Sequence, residues 1–272
     1  MSRAIAVFHG QFGRATLYQL NRPFTVHAHR EGHLIFHLDG SDGSVDVDGK
    51  SCPLSSATIV AISPWEPHNF VPSDVDAGAL FFVLYVDADW FATGGEGATL
   101  CFGSSLIART PSLDRQVRHA AEMVRAGERL GELDSELRSL IDECYDVSWR
   151  AVDGRSKRRA LDGVTDFRVR KSIRLMQDQA VADIELDAVA RESGLSRPHF
   201  YKLFRTQTGL TPHLFLNTIL MERALERLVS SEAPVAEIGF KLGFSSQSGF
   251  TKFFAANVGM APTDYRRAAH VL

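Results

Sequence analysis

The sequence predicts a multidomain chain, β in its first part and all-α in its second, and three observations carry that expectation. Six short runs rich in β-branched and aromatic residues follow one another between about residues 5 and 110. Every stretch beyond about residue 167 reads as helix. The second half also holds a near-copy of one of its own segments, displaced by about 50 residues. With 272 residues, the chain has room for two cores of ordinary size.

In chain order the strand-like runs are ATLYQL, FTVHAH, HLIFHL, GSVDVDG, ATIVAIS and ALFFVLYV, with Gly, Asp, Pro and Ser clustered between them. Such a series closes into a small barrel or stacks as a sandwich over residues 1–110. ATIVAIS and ALFFVLYV are apolar enough to be covered on both faces. Two amphipathic helices follow over 111–153. Ser112 can cap one carrying Leu113, Val117, Ala120, Ala121 and Val124; Asp134 or Ser135 can cap another carrying Leu137, Leu140, Ile141 and Cys144. They either pack on the strands or make a dimer contact. Residues 154–166, beginning Gly154-Arg155-Ser156-Lys157-Arg158-Arg159, read as an exposed linker, and 167–272 as a helical domain.

Composition narrows the function classes. At 44% hydrophobic and 23% charged residues the chain is of the soluble globular kind. No run nears the roughly 18 apolar residues of a membrane span, and the start lacks the apolar stretch of a signal peptide, so a cytoplasmic location is expected. Cys52, Cys101 and Cys144 are odd in number, widely spaced and without a CxxC pair, which fits reduced thiols. The net charge of −3 conceals an asymmetry: residues 1–154 hold 12 Lys/Arg and 21 Asp/Glu, net −9, whereas residues 155–272 hold 18 and 12, net +6. A basic half in an acidic protein suits a polyanionic partner, because phosphate neutralisation drives nucleic-acid affinity.

The internal repeat sharpens that reading. SGLSRPHFYKLFRTQTGLTP (193–212) aligns with LGFSSQSGFTKFFAANVGMAP (242–262). Gly194 matches Gly243, and Phe200, Lys202, Phe204, Gly209 and Pro212 match Phe250, Lys252, Phe254, Gly259 and Pro262. Each copy reads as helix, Gly turn and second helix. In the first, Leu186, Val189 and Ala190 line the inner face of the leading helix, Gly194 makes the left-handed turn and Ser196 caps the next helix. Phe200, Leu203 and Phe204 are core by their spacing, leaving Arg197, Tyr201, Lys202 and Arg205 outward. In the second, Phe250, Phe253 and Phe254 are core and Gln247, Ser248, Thr251 and Lys252 face out. Two such faces would address successive turns of one duplex, roughly 34 Å apart.

SSQSGFTKFF followed by VGMAPTDYRR (245–267) resembles the signature of the AraC/XylS family, and the resemblance covers about residues 168–267. It implies a seven-helix domain with two helix-turn-helix units joined by a long helix at about Pro212–Val229. It also implies base readers at Pro198, Tyr201 and Lys202 in the first unit and Gln247, Ser248, Thr251 and Lys252 in the second. Promoter DNA, a small-molecule effector, a second copy of the chain and, for an activator, RNA polymerase are the implied partners. The sequence departs from the pattern at Pro198, Gly249, Ala255-Ala256 and Leu220. Pro198 can offer a base only apolar contact, and two alanines replace a pair that is usually basic.

The front half carries His27-x-His29-x3-His33 and then Pro64-x-x-Pro67-His68. Strand alternation puts His27 and His29 on one face. This resembles the cupin barrel, whose HxHx3–4E motif and later His line a pocket and can hold a divalent metal; His33 stands where Glu is usual. Four imidazoles suit zinc, nickel, iron or copper. The other reading is a metal-free pocket for an organic effector lined by His27, His29, His33, His37 and His68. Trp65 and Glu66 could frame its mouth, Arg22 or Arg30 could anchor an acidic effector, and His9 and His199 stand isolated. Without a nucleophile elbow, a phosphate-cradling Gly loop or the cupin Glu, the chain is expected to be a regulator and not an enzyme.

Overall fold

The computed structural model describes residues 2–94, 99–127, 130–150, 152 and 163–271. Its front half is built from β1 (Arg3–Gly10), β2 (Gly13–Leu20), β3 (Phe24–His27), β4 (Gly32–Gly40), β5 (Gly43–Val47), β6 (Lys50–Leu54), β7 (Thr58–Ile62), β8 (His68–Pro72), β9 (Ala79–Val86), the short helix α1 (Ala88–Ala92) and β10 (Leu106–Ala108). All six strand-like runs are strands. Four further strands escape the sequence pattern; β6 and β8 contain Pro53 and Pro72, which argue against a strand. Pro53 is tolerated because β6 is the edge of its sheet, and Pro72 because it is the last residue of β8.

The strands pair in two sheets and not in one closed ring. The larger runs β10-β7-β4-β9-β2-β1 and the smaller β3-β8-β5-β6, every pairing among these antiparallel. The chain changes sheet between β3 and β4, at residues 28–31. That crossing places the histidines at the seam.

Helices α2 (Pro111–Ala126) and α3 (Leu130–Trp149) cover the outer face of the larger sheet. Leu113, Val117, Ala120 and Val124 of α2 and Leu137, Leu140, Ile141 and Cys144 of α3 are buried in one core with Phe36, Phe82 and Leu84. Packing on the sheet therefore accounts for the apolar stripes. Thr110, not Ser112, caps α2: its hydroxyl accepts from the Leu113 N–H at 3.2 Å, and Pro111 sets the first turn. Asp134 and Ser135 lie inside α3, which starts at Leu130. The basic run 154–159 lies outside the described residues.

The second half contributes seven helices among the described residues: α4 (Phe167–Asp178), α5 (Leu186–Glu192), α6 (Arg197–Thr208), α7 (Pro212–Ser230), α8 (Val235–Lys241), α9 (Gln247–Val258) and α10 (Pro262–Ala268). The repeat in sequence is a repeat in structure. α5 and α8 have 7 residues each, α6 and α9 have 12 each. Each longer helix ends on a left-handed glycine, Gly209 or Gly259, and each following helix starts on Pro212 or Pro262. α7 serves both units. Phe215, Leu216, Ile219 and Leu220 enter the core of the first; Met221, Ala224, Leu225 and Leu228 enter the second.

The halves are joined intimately. A last strand, β11 (Ala269–Val271), pairs in parallel with β1 and so extends the larger sheet from the far end of the chain. The core of the second unit is continuous with Val7, Tyr18, Phe70, Phe81 and Tyr85 of the front half.

Candidate functional site

In α6, Phe200 and Phe204 are fully buried while Arg197, Pro198, Lys202 and Arg205 are exposed and Tyr201 is half-buried. In α9, Phe250 and Phe254 are fully buried, Gln247, Ser248 and Lys252 exposed, and Thr251 half-buried. Leu203 and Phe253, expected in the core, are only partly covered. The cause of each face is helical spacing: two aromatics four apart sink one stripe and leave the opposite one to solvent. Ser246 caps α9 through the Gly249 N–H at 3.1 Å. Ser196 occupies the equivalent position before α6 without a side-chain cap bond. Arg197 is held by Asp187 at 3.1 Å, while Lys202, Arg205 and Lys252 enter no ion pair among the described residues.

The second site is the histidine seam. His27 ends β3, His29 lies in the crossing, His33 is the second residue of β4 and His68 begins β8, and all four are buried. Ring centroids lie 4.4 Å apart for His27–His68 and for His29–His33, and 4.9 Å for His33–His68. A nitrogen from each of His27, His29 and His68 lies within 4.8 Å of the others. The His27 Nδ1 meets the Thr25 carbonyl at 2.7 Å and the His68 Nδ1 meets the Glu66 carbonyl at 2.8 Å. A carbonyl can only accept, so both Nδ1 atoms carry the proton and both Nε2 atoms present lone pairs. The His29 Nε2, both His33 nitrogens and the His68 Nε2 are buried without a hydrogen-bond partner among the described residues.

Burial holds all four imidazoles below the ordinary histidine range, and neighbouring histidines and Arg14 add to this at His29 and His33. They are neutral at physiological pH, the form that ligates metals. Three imidazole nitrogens at that spacing, with His33 beside them but outside the 4.8 Å group, fit a transition ion and not calcium or magnesium. His37 is not part of this group. It too is buried, but its Nε2 meets the Gly40 and Ser41 carbonyls at 3.2 Å each and its own carbonyl accepts from Arg109.

The seam opens on a cavity of about 30 Å³, lined by His27, His33, His68 and Tyr85 with Phe70 and Phe81 among its apolar walls. That is room for an ion and one or two waters, well below the roughly 300 Å³ of a usual ligand pocket. Of the residues expected around its mouth, Trp65 is buried against Phe215 of α7, the Glu66 carboxylate accepts from the Ser63 N–H, Arg22 is exposed and Arg30 pairs with Glu222. His9 bonds the Tyr265 hydroxyl at 2.9 Å, and His199 is exposed.

Sequence reasoning missed the residues that tie seam to helices. Arg14, buried and in no salt bridge among the described residues, stacks on Tyr85 at 3.5 Å and donates to Tyr265 at 3.1 Å. Thr218 of α7 reaches the Ala28 carbonyl between His27 and His29. Contacts separated by 190 and 251 residues leave no local pattern to read.

Residues 12–141 match the family model of the AraC-like ligand binding domain, and residues 189–268 match that of a helix-turn-helix domain. HTH-type transcriptional activator RhaS of Escherichia coli strain SE11 is 33% identical over 92 residues, 34% of this chain and 33% of that protein. RhaS of strain HS matches to the same extent. The chain thus spans about a third of the length of the curated relatives it matches. Among solved structures, ToxT from Vibrio cholerae O395 has a TM-score of 0.61 at 14% identity, covering 93% of this chain and 96% of that one. Unsaturated fatty acid-bound ToxT from strain SCE256 gives 0.61 at 14% identity over 93% and 94%. These identities speak for a shared fold.

Proposed function

The chain belongs to the AraC family, with a sensor domain ahead of a helix-turn-helix domain, and on that premise we propose that it is a transcription regulator whose front half senses a small molecule and alters promoter binding. One observation carries the reading: two helix-turn-helix units of equal dimensions share α7, each sinking its phenylalanines and turning a polar stripe to solvent. Arg197, Pro198, Tyr201, Lys202 and Arg205 form the first reading face; Gln247, Ser248, Thr251 and Lys252 form the second. Gln247 can pair bidentately with adenine, the lysines can reach guanine or phosphate, and Pro198 can touch a thymine methyl.

On this reading residues 1–110 are the sensor, 111–153 the helical pair, 154–166 the linker and 167–272 the DNA-binding domain. The protein acts in the cytoplasm as a homodimer, contacts RNA polymerase where it activates, and turns over no substrate. ToxT binds an unsaturated fatty acid, and an effector in the front half of this chain is the parallel. Selection of duplexes from a random-sequence pool by the full chain tests the function. Enrichment of one sequence class, bound with steep salt dependence and lost on combining Lys202→Ala with Lys252→Ala, supports it; unchanged binding by that double variant removes the assigned faces.

The seam supports a second reading, in which the effector is an ion. His27, His29, His33 and His68 would hold zinc, nickel, iron or copper. The buried unpartnered nitrogens and the small cavity favour it over a bulky organic ligand. Bound there, the ion would supply a cross-link between β-segments.

A further inference from the structure

The two segments that carry three of the four imidazoles, His27 and His29 on one and His68 on the other, are also segments that dock on the helical half; His33 stands on β4. Residues 27–30 alternate. His27 and His29 turn toward the seam, whereas Ala28 is buried in the core of the first helix-turn-helix unit and Arg30 pairs with Glu222 of α7 at 3.6 Å. The Thr218 hydroxyl lies 3.1 Å from the Ala28 carbonyl and 3.0 Å from that of Leu214, donating to both in turn. Just upstream, Thr25 donates to the Ala256 carbonyl at 3.2 Å and Phe24 abuts Gly259, both at the end of α9. Segment 24–30 therefore touches both units at once.

Across the seam, His68 follows Trp65. The Trp65 indole stacks on Phe215 with centroids 5.0 Å apart and planes at 17°, and the Trp65 backbone N–H donates to the His29 carbonyl at 2.7 Å. Trp65 also holds a φ of +66°, a left-handed conformation that strains a non-glycine residue and marks an over-determined position. Segments 24–30 and 64–68 thus each have one face on the seam and the other on α7 or α9.

Resting on the regulator reading above, we propose that the His27–His29–His33–His68 seam takes one borderline transition-metal ion and that its occupancy is the signal, read by both helix-turn-helix units through segments 24–30 and 64–68. The nitrogens of His27, His29 and His68, now up to 4.8 Å apart, would draw to roughly 3.3 Å around an ion with bonds of about 2.0–2.1 Å, and His33, its ring centroid 4.4 Å from that of His29, would complete the set. Because 24–30 is bonded to α7 and α9, that contraction shifts the two reading faces relative to each other. Arg14, behind Tyr85, opposes a cation and so restricts the site to ions that bind imidazole tightly, toward the copper and zinc end of the series.

The test uses the full chain, untagged and stripped with a chelator, with zinc, nickel or copper added and the duplex recovered by selection as probe. Elemental analysis should find one equivalent retained, and lost in His27→Ala/His29→Ala. Retention should change the dissociation constant for DNA by about 5-fold or more. Thr218→Val combined with Trp65→Leu should retain the equivalent while the DNA response falls to about 2-fold or less, and Thr218→Ser, which keeps the hydroxyl, should respond as the parent does. No retained ion overturns the proposal and leaves an organic effector. A retained ion with unaltered DNA affinity, or an undiminished response in Thr218→Val/Trp65→Leu, overturns it too. Failure of both stripped and loaded protein to select any duplex would overturn the regulator reading and this proposal together.

Discussion

The Arg14 guanidinium donates a 3.1 Å hydrogen bond to the Tyr265 hydroxyl, joining the second strand of the sensor sheet to the last helix of the chain. Both side chains are buried, and His9 meets the same hydroxyl at 2.9 Å. Tyr265→Phe keeps the packing and removes both bonds, leaving the guanidinium charge with less to satisfy it. Losing bonds to a buried charged donor should destabilise the fold by about 1–3 kcal/mol, read as a shift in urea midpoint. An unchanged midpoint would show that the phenol is replaceable by solvent.

Gly259 serves twice. Its φ is +80°, and a Cβ there would come within 2.4 Å of the Phe24 ring. Gly259→Ala should cost about 1–2 kcal/mol for the left-handed backbone alone, and more for the collision. Adding Phe24→Ala should recover only the collision part, so a double-mutant cycle in denaturant separates backbone from contact.

Glu222 gives the junction a pH dependence. Burial first, then repulsion from Glu31, raise its carboxyl from 4.5 to about 8, against the pull of Arg30. A folded pKa above the unfolded one means that the protonated form is favoured by folding. The contribution is complete below about pH 4.5 and lost as pH rises through about 8. Glu222→Gln, fixed in the neutral form, should therefore gain on the parent across that window by at least about 1.4 kcal/mol, the equivalent of one pKa unit. Parallel stability curves from acid to mildly alkaline pH would contradict the assignment. The difference curve isolates Glu222 from the buried histidines, which act in the opposite sense, their contribution fading as pH falls.

Phosphate and base contacts separate by salt. Replacing Arg205, exposed and without an ion-pair partner among the described residues, with Ala should weaken binding to all duplexes alike and reduce the slope of log affinity against log salt by about 1. Gln247→Ala should cost about 1–3 kcal/mol on the selected sequence, relax the choice at one base and leave the slope unchanged. The reverse pattern would exchange their roles.

The helical half was legible in detail because its signals are local. Phe200 and Phe204 recur as Phe250 and Phe254, and Gly209-x-x-Pro212 as Gly259-x-x-Pro262, so repeat, turn and buried stripe could all be read from spacing. The six strong strands were legible for the same reason. Ser112 is nearer the apolar stripe than Thr110, yet Pro111 decides where α2 starts and so makes Thr110 the cap. His37 shares its strand with His33 and by alternation its face, but two carbonyls at the Gly40 turn claim its ring. The docking of the halves was not legible: Ala28 with Thr218, Trp65 with Phe215 and β1 with β11 are non-local pairings that no periodicity announces.

The most direct measurement is a footprint of the full chain on the duplex it selects. The account predicts two protected major-groove segments on one side of the helix, about 10 base pairs apart, the first lost with Lys202→Ala/Arg205→Ala and the second with Gln247→Ala/Lys252→Ala. A single protected segment erased equally by either variant pair, or protection that ignores sequence and salt, would contradict it.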